Sequence, residues 1–183
     1  YEFNYLTGEP TRLIYRQPGY PIDSVGLDKK SRPISVHYTD DASQIHWLDQ
    51  TMASYQSMLE KALPKGRVRM ISRSDGGRRM LVWNGSESDP GALYVFTPGE
   101  KKLDLFANYR PSIDFRMLSQ PKPFDYVARD GTKIRAYLTL PKNRDPKGLP
   151  LIILPHGGPF GVRDMLSYSD RVQFLANRGY AVI

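Results

Sequence analysis

Over the first 110 or so residues, apolar and polar positions alternate in short runs broken by turn-forming residues, the pattern of half-buried antiparallel strands. Residues 2–5 and 11–15 flank the turn Thr7-Gly8-Glu9-Pro10, and residues 22–26 and 34–38 flank a polar stretch at 28–33, so each pair predicts a hairpin. Residues 43–48 read as a strand from the alternation of Ile45 and Trp47. The spacing of Met52, Tyr55, Leu59 and Ala62 then predicts a helix over 50–63, with Asp49 as its N-cap and Pro64-Lys65-Gly66 as its stop. That apolar stripe is a packing face.

From Arg67 onward, runs at 67–72, 79–83, 92–97 and 101–107 predict four strands, separated by loops at 74–77, 85–91 and 98–100. Evenly spaced short strands of this kind form a four-stranded meander, and a meander repeated every 40 to 50 residues or so is the unit of a β-propeller blade. A free-standing β-sandwich is the alternative. The pattern breaks at 108–122, where Pro111, Pro121 and Pro123 bracket a short mixed segment, the composition of a linker or a short helix between domains.

Beyond the linker the class of the pattern changes. Residues 124–128 and 133–140 predict a hairpin around Arg129-Asp130-Gly131. The continuous apolar run at 149–154 is that of a strand buried on both faces in a parallel sheet. A glycine-rich turn follows, then a helical pattern over 163–177, a stop at Gly179 and a new apolar strand from Tyr180. The expected fold is therefore all-β propeller-type meanders over 1–118, with an inserted helix, followed over 119–183 by a strand, loop, helix, strand unit.

Composition narrows the chemistry. The 183 residues contain no cysteine, which excludes a disulfide framework, a cysteine-ligated metal and a thiol nucleophile. No His-Glu-x-x-His, GxxxxGK or GxGxxG string occurs, so no metal or nucleotide cofactor is expected. The chain starts without an initiating Met or a signal-peptide pattern, and its apolar runs are far shorter than the roughly 20 residues of a membrane span. The expectation is a water-soluble piece of something longer, with no membrane partner.

Net charge is +7, and it is uneven: 12 basic and 11 acidic side chains over 1–92 against 14 and 8 over 93–183. A basic strip of Lys65, Arg67, Arg69, Arg73, Arg78 and Arg79 could attract nucleic acid, but its alternation with Val68, Met70, Met80 and Val82 is that of a solvated hairpin face. With no RNA-binding or helix-turn-helix motif, no nucleic-acid partner is expected. His37 and His46 fall in the β region and read as packing or surface residues.

The candidate chemistry lies in the turn Pro155-His156-Gly157-Gly158-Pro159-Phe160-Gly161, after the buried strand and before the helix. Adjacent glycines let backbone approach a ligand with no Cβ in the way and leave N–H groups able to face developing negative charge. An ordinary tight turn is the plain alternative.

Three further stretches accompany this turn: Phe124 to Gly131, Ala136-Tyr137-Leu138-Thr139-Leu140-Pro141, and Gln173-Phe174-Leu175-Ala176-Asn177-Arg178-Gly179-Tyr180-Ala181-Val182. Together they resemble the opening of the catalytic domain of the prolyl oligopeptidase family, and the His-Gly-Gly-Pro spelling is most similar to its acylaminoacyl-peptidase and dipeptidyl-peptidase-like branches. Residues 1–118 resemble the last blades of that family's propeller. The resemblance implies an α/β-hydrolase domain and a serine peptidase acting on short peptides through an acyl-enzyme, with the remainder of the polypeptide completing the fold and homo-oligomers compatible with it.

By position, the resemblance implies that His156, Gly157 and Gly158 form the oxyanion-hole loop. His156 lies too early to be the general base, and a hydrogen bond to neighbouring backbone suits it better. No Gly-x-Ser-x-Gly elbow is present, so the catalytic Ser, Asp and His are expected after Ile183 and this segment alone is expected to be inactive. A carboxylesterase and a non-catalytic propeller that binds protein are the competing readings.

Overall fold

The structure is a computed structural model that describes residues 1–183. It is mostly β, with strands in open sheets and two α-helices. By compactness the chain divides into Tyr1–Ala53 and Ser54–Ile183.

In the first unit, β1 (Glu2–Phe3) and β2 (Pro10–Arg12) form a hairpin shorter than expected, since the backbone leaves the extended ladder at Leu13. Asn4 takes over the turn, its Oδ1 accepting from the Leu6 N–H at 2.9 Å. An antiparallel three-stranded sheet follows in the order β3 (Ile22–Leu27), β4 (Pro33–Thr39), β5 (Ser43–Trp47). Val36 and Thr39 of the central strand are buried. Of the two histidines in this sheet, His37 Nε2 lies against Ser35 Oγ at 3.1 Å, and the exposed His46 stacks on Tyr15 with ring centroids 4.3 Å apart. Helix α1 (Gln50–Ala62) starts where Asp49 Oδ1 accepts from the N–H groups of Thr51 and Met52, the capping geometry the sequence predicts.

The second unit is built on four antiparallel strands in sequence order: β6 (Arg67–Arg73), β7 (Met80–Ser86), β8 (Asp89–Thr97) and β9 (Lys102–Asn108). This is the expected meander. Val68, Met80, Val82 and Phe96 are buried on it, and Leu59 of α1 is 1% exposed, a burial that stabilises by about 2 kcal/mol. Tyr55 meets Phe96 edge-on at 5.5 Å, and Gln56 Nε2 donates to the Val68 carbonyl at 3.0 Å. A bulge between Met70 and Ser72 turns Ile71 out to solvent.

One expected loop is much shorter than its residues suggest. Residues 85–91 read as a connection from their glycines and polar residues, yet β7 and β8 extend into them and leave Glu87-Ser88 as the turn. The glycines serve close backbone approach: a Cβ on Gly91, whose φ is +85°, would lie 2.3 Å from the Asn84 carbonyl and 2.8 Å from Trp83 Nε1.

The linker carries a short 3₁₀ turn, Phe115–Met117, capped by Asp114, whose side chain accepts from the Arg116 N–H. Strands β10 (Lys122–Val127) and β11 (Lys133–Leu138) then form the expected hairpin, closed by a hydrogen bond from the Ala128 N–H to the Thr132 carbonyl at 2.8 Å.

The last elements are β12 (Leu151–Ile152), α2 (Asp170–Asn177) and β13 (Ala181–Val182), with β12 and β13 parallel. Val182 lies between neighbours, exchanging hydrogen bonds with Thr139 at 2.8 and 2.9 Å while β12 pairs on its other side. The strand at 149–154 is shorter than its apolar run and is not buried on both faces, since Leu151 and Ile153 are 52% and 67% exposed. No helix is long and apolar enough to cross a membrane.

Candidate functional site

The glycine-rich turn leaves the C-terminal end of β12. Residues 155–169 form neither helix nor strand, so the helix expected over 163–177 is confined to its second half. Its start is set by Ser169, whose Oγ accepts from the Val172 N–H at 3.4 Å, with Asp170 in the first turn where an acid suits the helix dipole.

His156, Gly157 and Gly158 are all exposed. His156 Nδ1 donates to the Gly157 carbonyl at 2.5 Å, the backbone role that suits this histidine. A Cβ on Gly157 would meet nothing within 4 Å, and one on Gly158 would meet only Phe160 N and Val162 Cγ2, each at 3.8 Å. Neither glycine has a positive φ. The fold's own packing thus does not require glycine at either place, and neither N–H has a partner within the chain. The Gly158-Pro159 peptide bond is cis.

A cavity of about 640 Å³ lies against the loop, lined by Thr139, Leu154, His156, Gly157, Met165 and Val182 among others. A second of about 580 Å³ shares Leu154, Pro155, His156 and Ile183 with it and extends to Tyr126 and Ile134. The arrangement offers unpaired backbone donors beside a concave, partly apolar surface, which suits an anionic or strongly polarised oxygen.

The charged groups around this region were not legible as a set in the sequence. Asp170 accepts from Arg110 Nη2 at 2.8 Å and from the Tyr168 hydroxyl at 2.8 Å. The Arg110 guanidinium, then the Tyr168 hydroxyl, hold the Asp170 carboxyl below the usual range, while burial and the bond to Asp170 push the Tyr168 phenol up to about 12. Arg67, read as part of a solvated strip, is instead half-buried and ion-paired with Glu87. No group of three or more His, Cys, Asp or Glu side chains is placed to hold a metal.

No family model matches the chain. Among curated proteins it is 29% identical over 161 residues to the dipeptidyl aminopeptidase BIII of Pseudoxanthomonas mexicana, a match covering 84% of this chain and 23% of that one. It is 32% identical over 141 residues to the dipeptidyl peptidase family member 6 of Caenorhabditis elegans, covering 66% of this chain and 19% of the relative. The chain therefore spans about a fifth to a quarter of the length of these relatives. Among solved structures it superposes on a prolyl endopeptidase with a TM-score of 0.60 at 19% identity, over 92% of this chain and 24% of that one.

Proposed function

We propose, from the kinship of this chain in sequence and fold to the prolyl oligopeptidase family of serine peptidases, that it is the junction of a peptidase that hydrolyses short peptides through an acyl-enzyme. Residues 1–118 are the last part of a β-propeller, with α1 inserted, and residues 119–183 are the start of an α/β-hydrolase catalytic domain. The four-stranded meander supports the first assignment, and the parallel β12–α2–β13 unit flanked by Thr139 supports the second.

The observation that carries the reading is the pair of unpaired N–H groups on Gly157 and Gly158, on a loop at the carboxyl end of a parallel strand. In the reaction, a serine hydroxyl attacks the peptide carbonyl, a histidine takes its proton and returns it to the leaving amine, and an aspartate orients the histidine. These three groups are not supplied by residues 155–183, where no nucleophile elbow occurs. The part played by this chain is to donate from the 156–158 loop to the carbonyl oxygen as it becomes an oxyanion. One such donor stabilises the transition state by about 3 kcal/mol.

The test uses the whole protein. Hydrolysis of aminoacyl and dipeptidyl nitroanilides above short-chain esters is expected, with turnover lost in Gly158→Val. Turnover of esters alone would favour a carboxylesterase, and unimpaired turnover in Gly158→Val would remove the loop from the chemistry.

A further inference from the structure

Arg67 opens β6, but its side chain does not join the solvated face of that strand. It is ion-paired with Glu87 of the β7–β8 turn, and the two side chains are 24% and 13% exposed. The same guanidinium donates through Nη1 to the backbone carbonyl of Leu166, 99 residues further along, at 2.5 Å. Glu87 is itself held from two other sides: its Oε2 accepts from Gln120 Nε2 at 3.2 Å and its backbone carbonyl from Gln173 Nε2 at 3.1 Å. A charge-assisted bond from a cation fixed in this way is strong and directional.

Leu166 lies in the irregular stretch that carries the glycine loop. None of residues 155–162 makes a backbone-to-backbone hydrogen bond, while the Leu154 N–H just before them is held by the Ile183 carbonyl at 2.7 Å. The stretch runs from Leu154 to the Arg67-bound Leu166, ahead of the Ser169 cap. Donors aimed at an oxyanion act only when held to within about 0.5 Å, and a loop with no backbone-to-backbone hydrogen bonds of its own depends on its anchors for that.

We infer that Arg67 is a positioning residue: clamped by Glu87, it fixes the Leu166 carbonyl and with it the seat of the 156–158 loop. The inference rests on the peptidase reading above. It makes the meander sheet part of the machinery that sets the oxyanion donors, without touching substrate.

The experiment compares Arg67→Met and Arg67→Lys in the whole protein. For a dipeptidyl nitroanilide, Arg67→Met is expected to lower kcat about tenfold or more with KM within about twofold, and Arg67→Lys, which keeps the charge and one donor, to recover part of the loss. Limited proteolysis supplies a readout independent of turnover: Arg67→Met should speed cleavage within 155–168 and leave β7 and β8 uncut. If Arg67→Met does not fold, a drop in kcat at constant KM in Arg67→Lys carries the same meaning. Unchanged cleavage within 155–168, or cleavage rising equally across the sheet with no rescue by lysine, overturns the inference. A wild-type protein that cleaves no peptide overturns the peptidase reading instead, and the proteolysis data still decide whether Arg67 holds the segment.

Discussion

Gln173 of α2 and Ser119 of the linker are joined by a reciprocal pair of hydrogen bonds: Gln173 Oε1 accepts from the Ser119 N–H at 2.9 Å, and Gln173 Nε2 donates to the Ser119 carbonyl at 2.7 Å. Both residues are buried, at 4% and 6% exposure. The amide side chain thus behaves like a backbone partner for a segment that has no strand of its own, and its second Nε2 hydrogen reaches the Glu87 carbonyl.

Replacing Gln173 with Leu keeps the volume and removes three hydrogen bonds, leaving the buried Ser119 N–H and carbonyl and the half-buried Glu87 carbonyl without this partner. The expected loss is about 2 to 4 kcal/mol. Gln173→Glu should cost at least as much, because a carboxylate oxygen would face the Ser119 and Glu87 carbonyls. Denaturant unfolding of the two variants against wild type checks both, and a loss below 1 kcal/mol or so in Gln173→Leu would mean that water replaces the amide.

Two glycines separate stability from activity. Gly91→Ala forces a left-handed backbone and drives a Cβ into the Asn84 carbonyl, so a loss of at least about 2 kcal/mol is expected. Gly157→Ala meets open space and no backbone penalty, so stability should stay within about 0.5 kcal/mol of wild type. In the whole protein the same Gly157→Ala change should lower kcat, since the methyl occupies space that the fold itself leaves empty. Thermal melts and single-substrate kinetics on the pair give the comparison, and equal stability losses at the two positions would contradict it.

How far the sequence could be read follows from the range of the interactions involved. Asp49 as a cap, the Asp130-Gly131 turn and the order of the meander strands were legible because each depends on neighbours within a few residues. The parallel pairing of β12 with β13 was legible from an apolar strand, a helical pattern and a second apolar strand in succession. The run at 85–91 misled, because Gly85 and Gly91 look like turn residues when their task is to let two strands approach. The helix expected from Arg163 misled because its periodicity counts apolar residues and does not register the Ser169 cap, where the backbone first becomes helical. The contacts of Arg67 with Leu166 and of Gln173 with Glu87 span 99 and 86 residues, and no local pattern announces them.

The Arg110–Asp170–Tyr168 cluster sets the response to pH. Its Asp170 carboxyl is lowered, first by the Arg110 hydrogen bond and then by the Tyr168 hydroxyl, so it contributes stability above the ordinary carboxyl range that is lost as pH falls through the lowered value. Both charged side chains are about half exposed, so salt screens this contribution and it stays small. Tyr168 works in the opposite direction. Its phenol is raised from 10.0 to about 12 by burial and by the bond to Asp170, so its contribution is fully present below pH 10 or so and is lost as pH rises through 12. The phenolate absorbance of wild type minus Tyr168→Phe should therefore show one tyrosine ionising above the bulk of the 12 in the chain. Stability measured across the same range should fall more steeply in wild type than in Tyr168→Phe. Asp170→Asn should flatten the acid side and, by removing the charged acceptor, bring the Tyr168 transition down toward 10; a Tyr168 transition unmoved by Asp170→Asn would assign the whole shift to burial.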